Sequence, residues 1–132
     1  MGIEALRIGA IPSNSVFASA STFNLSASTS KVGWVFVARE SATITHLGFV
    51  LSARTGTAPN YRISLQSVDA DGNPSGTILG GTSNALKVFD PATLTTGDLS
   101  YLALDESADV SAGQKYAIAI EYSSGTINGS NL

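Results

Sequence analysis

No cysteine occurs in the 132 residues, which excludes disulfide bonds, thiolate metal sites and cysteine nucleophiles. The single histidine, His46, removes His-pair chemistry and zinc sites built from several imidazoles. Charge is scarce too: charged residues make up 13% of the chain, about half the usual ~25%. The net charge of −3 and the pI near 4.8 give no electrostatic footprint for a nucleic-acid partner. No apolar run approaches the ~18 residues of a transmembrane helix, so no membrane partner is expected. One histidine and no cysteine leave no set of nucleophile, base and orienting group, and neither an enzyme nor a cofactor is expected. At the N-terminus Glu4 offsets Arg7, and Pro12, Ser13, Asn14 and Ser15 interrupt what should be an apolar centre, so no signal peptide is expected.

What fills the chain is serine, threonine, glycine and alternating β-branched and aromatic residues. Strands are predicted over residues 32–38 (VGWVFVA), 43–52 (TITHLGFVLS), 60–68, 98–104 (DLSYLAL) and 114–122. Weaker ones are predicted near 77–79 and 85–89 and somewhere within 5–25. In 60–68, Tyr61, Ile63 and Leu65 face one way and Arg62, Ser64 and Gln66 the other, predicting one core face and one wet face. In 114–122, Tyr116, Ile118, Ile120 and Tyr122 oppose Lys115, Ala117, Ala119 and Glu121. Turn residues separate these runs, notably Asp71-Gly72-Asn73-Pro74 and Ser111-Ala112-Gly113. Seven or eight short strands at this spacing predict an all-β, antiparallel β-sandwich. The organisation expected is one domain: an extended arm or edge strand over residues 1–30, then the sandwich over 31–132.

Residues 43–77 and 109–122 go beyond composition. They hold a strand ending "LGF", a strand "YRISLQSVD", a "DGNPSGT" hairpin and a late "VSAGQKYAIAIEY" strand. Together these resemble jelly-roll modules of tailed-phage fibre and capsid-decoration proteins, with relatives among bacterial surface and carbohydrate-binding modules. The resemblance implies a structural virion component that acts through contacts with copies of itself and with other virion proteins. It also implies a place on the particle surface, after synthesis in the host cytoplasm. A non-catalytic carbohydrate-binding or adhesion module, with surface glycans as partners, is the alternative. In such modules the chain continues beyond the late strand; here either a final strand is missing or the N-terminal segment substitutes for it.

Four sets of residues are candidates for a site or a contact. Asp69, Asp71 and Asn73 resemble the start of a calcium loop, but the twelfth position is Gly80 rather than a bidentate Glu. A plain hairpin explains the same residues and is the reading taken. Tyr101 and Trp34 are the candidates for stacking on a sugar; Trp34 shares a face with Val32 and Phe36 and is a core position first, whereas Tyr101 is expected to be exposed. The pair Asp105 and Glu106, with Asp109 nearby, reads as a solvated turn. In the arm, Leu6, Ile8, Val16, Phe17 and Phe23 are apolar anchors that must pack on the chain's own sandwich or, as expected here, on a neighbouring subunit by strand addition.

Overall fold

The alternating runs become antiparallel strands that pair in nested order. The computed structural model describes residues 6–8, 31–51 and 59–125. Its strands are β1 (Leu6–Ile8), β2 (Lys31–Val37), β3 (Ala42–Val50), β4 (Asn60–Val68), β5 (Pro74–Ile78), β6 (Leu86–Phe89), β7 (Leu99–Val110) and β8 (Lys115–Ser124). β4 pairs with β5 and β6, β3 with β7, and β2 with β8, so each pair encloses the last along the chain. This long hairpin is rolled up: β8 also pairs with β4, and β1 lies against β3. Two sheets result, β1-β3-β7 and β2-β8-β4-β5, with β6 sharing the far edge of β4 with β5. Among the described residues the only helical element is a 3-10 turn at Pro91–Thr93, entered through an Asp90 carboxylate that accepts from the Ala92 N–H. The fold is an all-β antiparallel sandwich, as the period-two pattern predicts.

The core forms where the inner faces of the two sheets meet. Ile44, Leu47 and Phe49 of β3 pack with Tyr61, Ile63 and Leu65 of β4 and with Ile118 and Ile120 of β8, all essentially without solvent exposure. Phe89 of β6 closes one end, its ring 5.1 Å from Phe49 and 6.3 Å from Tyr61. Burial raises the pKa of the Tyr61 phenol above its ordinary value, since an anion there would lose its hydration.

Three expectations are corrected. The second face of β4 is not wet: Ser64 and Gln66 are 0% and 3% exposed. The start of β5, with Pro74 and Gly76, folds across that face, and the periodicity of β4 could not reveal a cover supplied by residues further along the chain. β7 does not end at Leu104 but runs to Val110, so Asp105, Glu106 and Asp109 belong to a strand rather than a turn. The strand absorbs them through a register shift: Ile44 pairs with Ala108 and His46 with Ala103, leaving Thr45 opposite residues 104–107. Finally, the first part of the arm joins its own sheet, with Leu6 opposite Phe49 and Ile8 opposite Leu47. For β1, therefore, the partner is the chain's own β3 and not a neighbouring subunit. The other arm anchors, Val16, Phe17 and Phe23, lie outside the described residues.

Candidate functional site

The sequence candidates fall at separate places. Trp34 sits at the margin of the larger sheet, half-buried against the core beside Val32 and Phe36. Tyr101 is 42% exposed on the outer face of the smaller sheet, opposite Gly48 and edge-on to His46, with ring centroids 6.5 Å apart. His46 Nδ1 lies 2.9 Å from the Thr45 hydroxyl. Tyr116 and Tyr122 are partly buried against the core, and their hydroxyls are engaged: one accepts from the Ser111 N–H, the other donates to the Gly125 carbonyl.

Asp69, Asp71 and Asn73 form the tight connection between β4 and β5. One Asp69 carboxylate oxygen accepts from the backbone N–H of both Asp71 and Asn73, at 2.9 Å each. The Asp69 N–H donates to the Asn73 carbonyl, and Gly72 takes the positive φ of 84° that the turn demands. The carboxylate is thus spent on its own backbone. Among the described residues no three His, Asp or Glu side chains cluster as metal ligands. Adding calcium or a chelator should leave the melting temperature unchanged. A site filled at a hundred times its dissociation constant would add ~2.7 kcal/mol, so a calcium-dependent melt would restore the cation loop.

Beyond this turn the chain lies over the outer face of the larger sheet, where a groove is found. Pro74 rests on Gly33 of β2 so closely that a Cβ at residue 33 would stand 2.8 Å from the Pro74 ring. Gln66 ties the flap down: its Oε1 accepts from the Gly76 N–H, and its Nε2 donates to the Ser64 hydroxyl, both at 2.9 Å. Between flap and sheet runs a groove of about 300 Å³, lined by Gly33, Gln66, Pro74, Gly76 and Ala119. Lys31 and Glu121 line one side of it, and Glu121 pairs with Arg62 across the β4–β8 ladder. Sequence reading missed this groove. Its signal was Gly33, a glycine inside an otherwise apolar strand, which marks a close approach by other backbone or side chains. The arrangement offers small apolar contacts and an ion pair for non-covalent holding.

A second clamp was hidden by the turn reading of residues 105 and 106. Glu106 projects from β7 onto the loop between β5 and β6. Its carboxylate accepts from the Thr82 hydroxyl at 2.7 Å and from the N–H groups of Thr82 and Asn84 at 3.1 and 3.2 Å. The Thr82 hydroxyl first, and these amides after it, lower the Glu106 pKa below its ordinary 4.5. A carboxyl whose pKa falls on folding stabilises the native state above its unfolded pKa, and that contribution is lost as pH drops through the folded value. At pH 7 wild type should therefore melt above Glu106→Gln, and the two melting curves should converge on acidification below about 4.5. Parallel pH dependences in the two proteins would show that the clamp adds nothing.

No family model, curated protein or solved structure matches the chain.

Proposed function

We propose that the chain is a non-catalytic structural module of jelly-roll connectivity that works through multimeric protein–protein contacts on a tailed-phage particle, as a fibre or decoration subunit. The nested pairs β4 with β5 and β6, β3 with β7, and β2 with β8, rolled into two sheets, support the jelly-roll reading. In an eight-strand roll a strand after β8 would pair with β1 and lie between β1 and β3; here β1 takes the place beside β3 itself. This supports substitution by the N-terminal segment.

The observation that carries the assembly reading is apolar surface at one margin. Val35 and Val37 of β2 are 41% and 49% exposed side by side on the outer face. With so few charges, copies of the chain repel one another little. The alternative, glycan binding, draws on Tyr101 with its exposed ring beside His46. Light scattering combined with a glycan array separates the two: an assembly subunit associates and ignores the array, whereas a glycan binder binds the array as a monomer. The second result would overturn the proposal.

A further inference from the structure

Among the described residues four strand edges bound the two sheets, and three are blunted in ways that discourage pairing. β1 is only the three residues Leu6–Ile8. β7 carries a register shift, the charges of Asp105 and Glu106, and a loop bonded to its edge, where the Glu106 N–H donates to the Asn84 carbonyl. The shared β5 and β6 edge is made of short strands, with Pro74 and a positive-φ Gly76 in the first. β2 has none of these devices. From Val32 to Val37 it holds no charge and no proline, and among the described residues it pairs with β8 alone.

The hydrogen bonding at the end of β2 shows what this edge offers. The Ala38 N–H donates to the Gln114 carbonyl, and the Ala38 carbonyl accepts from the Gly113 N–H, so residue 38 faces β8. By the alternation of an antiparallel ladder, Val32, Trp34 and Phe36 face β8 likewise. Lys31, Gly33, Val35 and Val37 then direct their N–H and C=O groups away from it. These are also the residues whose side chains lie on the outer face, where Val35 and Val37 are exposed.

We propose that β2 pairs antiparallel with β2 of a second copy about a two-fold axis at Trp34, joining the larger sheets of two molecules into one. This deepens the assembly reading and rests on it. Charge and sequence select the register. Centred on Trp34, Lys31 stands opposite Val37 of the second copy and Gly33 opposite Val35, and all four outward-facing residues of each strand pair. A ladder centred on Val35 would set Lys31 against Arg39 of the second copy, placing like charges directly opposite. One centred on Phe36 would set buried Val32 against Glu40. In the Trp34 register the two tryptophans meet at a non-hydrogen-bonded position, where cross-strand side chains come closest. An isologous contact of this kind closes on itself as a dimer.

The test uses the full chain, with mass by light scattering and emission from Trp34, the only tryptophan, across a concentration series. Wild type should rise toward twice 13.5 kDa, with the Trp34 emission shifting over the same range. Val35→Pro removes an N–H that bonds nothing in β8, and Val35→Lys places a charge at an exposed site. Each acts twice about the axis and should weaken association at least about tenfold while leaving the far-ultraviolet spectrum native. Should the proline variant fail to fold, the lysine variant decides. Association that both variants leave intact places the interface elsewhere, which overturns this pairing but leaves the assembly reading standing. Wild type that stays at monomer mass even near ~1 mM overturns the pairing. If Val35→Pro lowers the melting temperature of such a monomer, a strand of its own chain is the occupant. A monomer that also binds the glycan array removes the assembly reading as well.

Discussion

Replacing Phe49 with alanine should lower the unfolding free energy by about 3–5 kcal/mol, the range for deleting a fully buried phenylalanine. The ring is 1% exposed and stands where the two sheets meet. It touches Phe89 of β6, which in turn reaches Tyr61 of β4, so one side chain links the smaller sheet to the far edge of the larger one. The residue also lies opposite Leu6 in the β1–β3 ladder, so a collapse around the vacated volume would disturb β1 pairing. With urea m-values of about 1–3 kcal/mol/M, the midpoint should fall by at least about 1 M. A loss under about 1 kcal/mol would mean that the sheets do not close on this residue, and the sandwich described here would be wrong at its centre.

How much of this was legible in the sequence depends on where the partner of each residue comes from. β4 could be read at its bounds and β8 to within two residues because alternation is local: Tyr61, Ile63 and Leu65 announce an inward face whatever lies across from it. The extent of β7 could not. Asp105 and Glu106 break the apolar pattern of that strand because a register shift places them at its rim, where Glu106 clamps a loop more than twenty residues earlier in the chain. Gln66 is polar in sequence and buried in structure for a similar reason, its cover arriving with Gly76. The Asp69 hairpin was legible, because an Asx side chain that satisfies nearby backbone acts within four residues. The choice of partner for Leu6 and Ile8 was not, since an apolar segment does not state whose edge it will pair with. The candidate sites divide on the same line: Tyr101 could be placed at the surface from its own strand, while the groove under Pro74 required two segments to meet.

That groove leads to the second large effect. Gln66→Met keeps the side-chain length and deletes both hydrogen bonds, leaving the Gly76 N–H without its acceptor and the buried Ser64 hydroxyl without its donor. The buried Ser64 hydroxyl left without its donor costs about 1–3 kcal/mol and the lost bond to the exposed Gly76 about 0.5–1.5 kcal/mol, so a total near 2–4 kcal/mol is expected. The loss should be partly local, because β5 holds β4 through only two register pairs, Gln66 with Ile78 and Val68 with Pro74. Residues 71–76 should then open before the sandwich does, with the Gly76 amide exchanging at least about tenfold faster than in wild type and cleavage favoured near Gly72. Adding Ser64→Ala to Gln66→Met removes the buried orphan and should recover about 1 kcal/mol of global stability, while the Gly76 amide stays fast. That split separates the two bonds. If Gln66→Met instead leaves Gly76 exchange at the wild-type rate, the flap is held by the contact of Pro74 on Gly33 alone, and Gly33→Ala becomes the substitution that should release it.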